Sequence, residues 1–458
     1  GDLKMANPSL SEYLAQSQRG LYNSVFGPEY LQKQTYFTVD SATGIFNTTY
    51  GRKVWQALNN QTRFFNAIPR TVWGSTAGWR IRTDRGSTRS RPVTETGSLP
   101  TVDVSNIETI SSLPRIVSTT FGASVKSVFT AQLEGGIGDV LAMENENAQL
   151  DHVKEINEEL MAGSMYLASA GSTTTTTVPA AVAKNIKIGD ALSVWDTSAN
   201  DWINTGGVAV SAVNTSTGVI THATTSAAVA DGDGVAVYSR AGFTSIDDIV
   251  AVDGGSMGGV YDSNSNFAAN GGVRAYDLTY ADRTSGAWNA AATVKDNNGT
   301  GRDLSLNLLD DCIQTIRTNG GEPKLITLGH DQYFKLERLL NSQQRYMGQE
   351  EYQVGVGAER TFPGTRTGLV LATYQGIPIL PDADTPKSVS TADAVLGSNV
   401  YVLDTDYLEI AVAQPTQYVE NRDYFAANAL VVRGLLYTMG ELRCKNFFVQ
   451  AKVTDLNS

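Results

Sequence analysis

The longest helical pattern in the chain runs from about residue 139 to residue 170. Apolar residues recur there at steps mostly of three, four and seven, which places them on one stripe of a helix with 3.6 residues per turn. We predict that this stripe forms a core face made of Met143, Leu150, Val153, Ile156 and Leu160. The opposite positions are mostly Glu, Asn, Gln and Asp, and we expect them, together with His152, to face solvent. A helix of roughly 45 Å, at about 1.5 Å per residue, predicts a spine on which the other elements are arranged.

Alternating polar and apolar residues predict a long β-hairpin within residues 76–130. Residues 79–83 alternate as a strand does, and residues 101–104 alternate on the return. Five arginines lie on this hairpin: Arg80, Arg82, Arg85, Arg89 and Arg91. Because an isolated two-stranded ribbon is only marginally stable, we expect the hairpin to rest on another subunit. Further strands are predicted at residues 116–120 and 124–130.

The segments before the hairpin and after the spine differ in character. Residues 1–47 are polar and broken by Pro and Gly, which indicates an extended arm, and residues 48–68 form a short amphipathic helix. Residues 172–178 contain five consecutive threonines and are interpreted as a linker. Residues 179–243 are interpreted as an inserted small β-domain, since five or six short strands at this spacing are typical of a small barrel.

The last third of the chain alternates strands and helices. Helices are predicted at residues 304–318 and 332–340. Strands are predicted at residues 324–328, 368–374, 377–380, 400–403, 408–413, 429–437 and 447–453. This alternation predicts an α+β fold with a mixed sheet.

The composition of the chain limits the classes of protein to which it can belong. A chain of 458 residues is expected to form two or three domains. The net charge of −12 disfavours sequence-specific nucleic-acid binding, which needs clustered Lys and Arg. The two cysteines, Cys312 and Cys444, do not make a disulfide scaffold. The polar start of the chain and the lack of an apolar run near the roughly 18 residues of a membrane helix predict a soluble protein made in a cytoplasm.

Candidate chemistry is sparse. Residues 254–258 match the G-x-S-x-G elbow of serine hydrolases, with Ser256 as nucleophile and Asp303 and His330 following in the right order. The elbow needs a helix after Ser256, and the sequence there is typical of a loop. The pairs Asp231/Asp233 and Asp382/Asp384 lack the spaced Glu of a calcium loop, and the three histidines are scattered. We therefore predict no catalytic residue, no metal site and no cofactor.

The order of these parts resembles the major capsid protein of tailed bacterial and archaeal viruses, the Hong Kong-type capsid fold. The resemblance covers nearly the whole chain and is carried by residues 53–59 with 64–66, 280–283 with 288–289, 324–329 with 333–334, 373–382 and 400–404. Each stretch is weakly specific, and their order and spacing carry the resemblance. The insertion at 179–243 departs from the minimal family pattern.

The resemblance implies a division of the chain. This runs as N-terminal arm and short helix (1–70), extended β-hairpin loop (71–130), peripheral domain with spine helix (131–178), inserted β-domain (179–243), peripheral/axial connection (244–303), axial domain (304–420) and C-terminal strands returning to the peripheral domain (421–458). For the arginines of the hairpin, Pro92, Glu95 and the acidic charge of the whole chain favour contact with acidic surfaces of adjacent subunits. Nucleic-acid contact and a simply solvated hairpin are the alternatives for those arginines.

The function implied is a structural one. Many copies would assemble as hexamers and pentamers into an icosahedral shell that encloses double-stranded DNA in a virion, after assembly in the host cytoplasm and without sequence-specific binding or a membrane. Portal, scaffolding, maturation protease and decoration proteins are the implied partners. Two alternatives stay open: an encapsulin-like compartment that encloses an enzyme, and the serine hydrolase using Ser256.

Overall fold

The structure is a computed structural model. It describes residues 61–74, 78–82, 90, 92–131, 140–199, 201–204, 206–251, 273–278, 282–283, 292–297, 299–341, 350–353, 361–364, 373–390, 394–422 and 429–458. The predicted arm, most of the first helix, Ser256 and the arginines Arg85, Arg89 and Arg91 lie outside these residues.

The described chain contains both α-helices and β-strands. The helices are α1 (Arg63–Ala67), α2 (Val125–Ala131), α3 (Val140–Leu160), α4 (Ala180–Ala183), α5 (Ile246–Ile249), α6 (Leu306–Thr318) and α7 (His330–Asn341). The first twelve strands are β1 (Arg70–Val72), β2 (Gly78–Arg82), β3 (Ile107–Ser111), β4 (Arg115–Ser124), β5 (Met165–Leu167), β6 (Ala170–Gly171), β7 (Thr175–Thr177), β8 (Ala191–Asp196), β9 (Asp201–Trp202), β10 (Val208–Asn214), β11 (Val219–His222) and β12 (Gly234–Ser239). The remaining strands are β13 (Thr293–Lys295), β14 (Leu325–Leu328), β15 (Glu350–Gln353), β16 (Thr361–Gly364), β17 (Thr373–Tyr374), β18 (Ile377–Pro381), β19 (Lys387–Val389), β20 (Val395–Ser398), β21 (Val400–Leu403), β22 (Leu408–Asn421), β23 (Val431–Cys444) and β24 (Ala451–Val453). A 3-10 turn at Phe447–Val449 precedes β24.

The chain divides into two compact units. The first comprises residues 1–62, 114–157 and 412–440, and the second comprises residues 63–113, 158–411 and 441–458. Both contain helix and sheet, so the predicted α+β class is confirmed. In the described residues, no helix is both long and apolar enough to cross a membrane.

The first unit packs the spine helix α3 on an antiparallel sheet in which β23 lies between β22 and β4. Strand β4 pairs with β23 over ten residues, from Val431 opposite Ser124 to Gly440 opposite Arg115. The apolar core between helix and sheet contains Phe121, Met143 and Leu436. The spine begins where the sequence predicts, but it ends at Leu160 and not near residue 170, because Met165–Leu167 and Ala170–Gly171 form strands β5 and β6.

The inner face of the spine is more polar than predicted. Met143, Ile156 and Leu160 are buried and Val153 is half-buried, but Leu150 is 39% exposed and does not belong to the core face. In its place the buried positions are Asn145, Gln149, His152 and Asn157, with His152 only 1% exposed. The expectation that these polar residues face solvent is wrong. Hydroxyl groups of the sheet bond to His152, whereas Asn145 Oδ1 and Gln149 Nε2 are buried without a hydrogen-bond partner among the described residues.

His152 shows this bonding directly. Its Nδ1 lies 3.0 Å from Thr119 Oγ1 on β4, and its Nε2 lies 2.7 Å from Thr438 Oγ1 on β23. Thr438 Oγ1 is in turn 2.8 Å from Thr416 Oγ1 on β22. One chain of hydrogen-bonded polar groups thus ties the helix to three of the four strands of this sheet, β4, β23 and β22.

The second unit contains a curled eight-stranded sheet around residues 165–239. Its order is β5-β12-β8-β10-β11-β7-β6, with β9 paired to β8. The two end strands follow each other in the chain, where the N–H of Ala168 donates to Asp233 O and that of Ser169 donates to Thr177 O. Residues 172–178 are not a linker, since β7 lies there and pairs with β11. A run of threonines suits a strand because β-branched residues pack well on a pleated surface.

A six-stranded mixed sheet forms the other part of the second unit, in the order β13-β24-β21-β14-β18-β17. Strand β14 is parallel to β18 and antiparallel to β21. Helices α6 and α7 bury Leu309, Ile313 and Leu336 in the same core as the sheet. The predicted helices and mixed sheet of the C-terminal third are confirmed here. The predicted strand at 447–453 is wrong in its first half, which is a 3-10 turn, and residues 368–372 of the predicted strand 368–374 lie outside the described residues.

The hairpin closes later than the sequence suggests. Strand β2 pairs with β3, with Trp79 opposite Ile110 and Arg82 opposite Ile107. The predicted return strand at 101–104 is wrong, because that stretch makes no strand in the described chain. The predicted strand at 124–130 is also wrong: β4 runs to Ser124, and α2 follows. Ser124 Oγ accepts from the N–H of Ser127 at 3.1 Å, which is how a serine favours the start of a helix.

Candidate assembly surfaces

The strand pair β2–β3 carries the described part of the arginine cluster. Arg80 and Arg82 are exposed and, being two residues apart, lie on the same face of β2. They stand opposite Thr109 and Ile107 of β3. The contact proposed for them with acidic surfaces of adjacent subunits therefore remains a prediction.

The segment after β2 exposes apolar side chains to an unusual degree. Residues 92–106 contain no helix or strand. Leu99 is 81% exposed, Val102 94% and Val104 79%. Ile107, the first residue of β3, is 57% exposed, and Leu113, just after β3, is 71% exposed. An apolar patch of this kind marks a protein interaction site in a soluble protein. The alternation at residues 101–104 predicted a strand, which would need another strand to pair with. The sequence did not indicate which part of the protein, or which other molecule, would provide that strand.

A buried ionic cluster fixes the eight-stranded sheet to the six-stranded sheet within the second unit. The Asp247 carboxylate accepts from Lys452 Nζ at 2.6 Å, from Tyr401 Oη at 2.7 Å and from the Ser164 N–H at 2.8 Å. Although burial opposes ionisation, Lys452 and these donors hold the pKa of Asp247 below its usual value. A buried charge with several hydrogen-bonded partners is the arrangement that a core tolerates.

Arg240 forms the other half of this cluster. Its Nε donates to Asp248 at 2.8 Å, and its Nη groups donate to the carbonyl oxygens of Asn185 and Gly163 at 3.0 and 2.6 Å. The neighbouring carboxylates of Asp248 and Asp190 raise the pKa of Arg240 despite its burial. No pattern along the sequence predicted this cluster, because its members are up to 205 residues apart.

The aspartate pairs considered as calcium ligands are engaged in turns. Asp233 accepts from the N–H groups of Ala230 and Thr197 at 2.7 and 3.2 Å, and burial raises its pKa. Asp382 accepts from the N–H groups of Phe64 and Asp384 at 3.0 and 2.9 Å. Within the described ranges, no group of three His, Cys, Asp or Glu is placed to hold a metal ion.

The described residues do not bring the hydrolase candidates Ser256, Asp303 and His330 together in a catalytic arrangement. Ser256 lies outside the described residues. Asp303 Oδ1 accepts from Asn457 Nδ2 at 3.0 Å, and His330 begins α7. The contact between Asp303 and Asn457 is not typical of a nucleophile–base pair.

Comparison with known proteins shows which fold the chain has. The chain is similar to a chain of the cyanophage A-1(L) capsid asymmetric unit, with 12% identity, a TM-score of 0.51, and 92% of this chain and 100% of that chain covered. It also matches the capsid of a native GTA particle (9% identity, TM-score 0.47, 92% and 99% covered) and the SrpI encapsulin of Synechococcus elongatus PCC 7942 (9%, 0.37, 88% and 91%), at similarities too low to argue from. No curated protein matches the sequence. The first likeness establishes the phage capsid fold.

Residues 262–457 match the model of the SU10 major capsid protein family. Together with the fold, this match, which covers less than half of the chain, supports a tailed-phage major capsid protein, as the sequence predicts.

Proposed function

We propose that this protein assembles as hexamers and pentamers into the icosahedral shell that encloses packaged double-stranded DNA in a tailed virus. The shell forms in the host cytoplasm, with portal, scaffolding, maturation protease and decoration proteins as partners. The net charge of −12 favours enclosure of DNA without sequence-specific binding. The inserted domain lies on the outside of the shell in this proposal and stabilises or decorates it.

The observation that carries the proposal is the exposed apolar loop of residues 92–106. Leu99 and Val102 are almost completely exposed, and apolar area left in water costs roughly 25 cal/mol per Å² relative to burial. A second copy that covers this loop recovers that free energy. Contacts of this kind, repeated around a closed shell, hold it together even when each is weak.

The test is electron microscopy of the purified protein, alone and co-expressed with the genes that neighbour its own. We expect closed, uniform shells from the wild type. The double variant Leu99→Asp/Val102→Asp should unfold at the wild-type temperature, because both side chains are exposed, yet form no shells. Ile188→Asp is the matched control: Ile188 is 66% exposed outside the loop, and its variant should assemble normally.

Each rival has its own signature in this experiment. Normal shells from the double variant would show that the loop is not an assembly contact. Shells that carry an enzyme instead of nuclease-protected DNA would identify an encapsulin. A protein that stays monomeric at every concentration would overturn the proposal, and esterase activity abolished by Ser256→Ala would then support the hydrolase.

A further inference from the structure

The base of the hairpin is held by a short turn far away in the sequence. Ala275 and Leu278 form an isolated antiparallel bridge, each N–H donating to the other's carbonyl at 3.1 Å. The bridge encloses Tyr276 and Asp277. Tyr276 has a φ of 62°, a left-handed conformation that is costly for a residue with a bulky side chain. Such a conformation persists only where surrounding contacts hold it.

Tyr276 connects the hairpin to strand β23. Its hydroxyl donates to the carbonyl of Leu442 at 2.7 Å and accepts from the N–H of Cys444 at 2.7 Å. Its ring meets Trp79 of β2 edge-on, with the ring centroids 5.0 Å apart. Burial raises the pKa of Tyr276 well above its usual value, so the hydroxyl remains a donor at neutral pH.

Asp277 engages the other strand of the hairpin. Both of its carboxylate oxygens lie 3.2 Å from the N–H of Ser111, the last residue of β3. Ser111 stands opposite Gly78, the first residue of β2. A Cβ at Gly78 would collide with the backbone carbonyl of Ile110, which shows how closely the two strands approach at this end.

Arg443 of β23 contacts two tryptophans at the base of the hairpin. Its guanidinium lies 3.8 Å from the ring centroid of Trp73 and 5.5 Å from that of Trp79. It is only 8% exposed, and burial lowers its pKa. Contact of a buried cation with two indole faces partly compensates for the water it has lost.

We propose that Tyr276 and Asp277 are positioning residues for shell assembly, which clamp the base of the β2–β3 hairpin to β23. The clamp fixes where the exposed apolar loop of residues 92–106 leaves the core of the second unit. This inference rests on the proposed assembly function. It identifies residues that act through the hairpin and determine whether the loop reaches a neighbouring copy in the right place.

Hydrogen exchange on unassembled subunits tests the clamp directly. In Asp277→Ala we expect the amides of β2 and β3 to exchange about tenfold faster than in the wild type, while those of β14 and β21 do not change. Asp277→Asn should restore slow exchange, because the amide oxygen still accepts from Ser111. Unchanged exchange at β2 and β3 in Asp277→Ala would overturn the clamp.

The yield of shells distinguishes a positioning role of Asp277 from a general effect on the stability of the subunit. Ser245→Ala removes the helix cap of α5 in the same unit and serves as the control, and the melting temperatures of both variants are measured so that shell yields are compared at a known loss of stability. We expect Asp277→Ala to give few or irregular shells and Ser245→Ala to give wild-type shells. Equal shell yields from both variants would overturn the positioning role. If the wild type forms no shells, the assembly function fails, and the exchange data still decide whether the clamp exists.

Discussion

Single buried residues in the second unit depend on partners brought from distant parts of the chain. The Lys452 and Asp247 side chains are 3% and 6% exposed and form an ion pair of 2.6 Å. Removing one member of such a pair leaves an uncompensated buried charge, which typically costs about 3–5 kcal/mol. We expect Lys452→Met to lower the free energy of unfolding in urea by about this amount.

The double variant Lys452→Met/Asp247→Leu is its control. It removes both charges, so we expect it to be more stable than Lys452→Met alone. A single variant as stable as the wild type would mean that the carboxylate is compensated by its other donors, Tyr401 and Ser164.

His152 gives the first unit a pH dependence. Burial lowers its pKa below the usual value near 6.5, an effect that outweighs the opposing charge of Glu155. The unfolded chain therefore binds the proton more readily, so stability is complete above about pH 6.5 and falls as the pH decreases towards the folded pKa. We expect melting temperatures of subunits to decline over this range.

His152→Gln tests the assignment, because an amide can bond to both Thr119 and Thr438 without titrating. Its melting temperature should no longer depend on pH between 6.5 and 5. An unchanged pH dependence in this variant would place the titrating group elsewhere.

The sequence could not show that His152 is buried. Periodicity reports which residues share a helix face, and it assumes that the inner face is the apolar one. Here the inner face meets Thr119 and Thr438, so the polar ring of His152 is hydrogen-bonded inside the fold, and Leu150 is left partly exposed. The partners come from strands formed 33 residues before and 286 residues after His152.

At the scale of elements, β23 and β4 approach closely enough to require a glycine. A Cβ at Gly434 would lie inside the contact distance of the Phe121 ring on β4. That ring is stacked on Tyr418, 5.9 Å away between centroids, so it has little room to move. We expect Gly434→Ala to destabilise the first unit by about 1–3 kcal/mol, as overpacking usually does.

Urea unfolding measures this loss. Gly206→Ala is the matched control, since a Cβ at Gly206 meets nothing within 4 Å. Equal stability of the two variants would show that Phe121 moves aside freely.

Elements with local signals were predicted well, and elements that depend on distant pairing were not. Helix α6 and strand β14 follow each other closely, and period and turn residues were enough to predict them. The stretch 101–104 alternates like a strand, yet β2 pairs with residues 107–111, because register is decided by packing and not by alternation. The contacts that anchor the hairpin, Tyr276 and Arg443, left no local pattern at all.

For the whole molecule, the boundaries of the insertion decide what can be removed from it. The bounds 179–243 were predicted from the spacing of short strands, but the sheet that these residues belong to begins at Met165 and ends at Ser239. Excising 179–243 would remove β12, the partner of β5, and β11, the partner of β7. It would also remove Arg240, the ion-pair partner of Asp248. We expect that variant to lose cooperative unfolding.

Excising residues 165–236 instead should leave a folded protein. The N–H of Val237 donates to Ser164 O at 2.8 Å, so the two ends are already neighbours and a short glycine linker can join them. This variant keeps Arg240, Asp248, Asp247 and Lys452, and it removes the eight-stranded sheet with its own core. Calorimetry should show one cooperative transition, at a lower temperature than in the wild type because Ala251 and Val389 lose their cover. If 165–236 unfolds the chain as completely as 179–243 does, the curled sheet is part of the core of the second unit and not a module added to it.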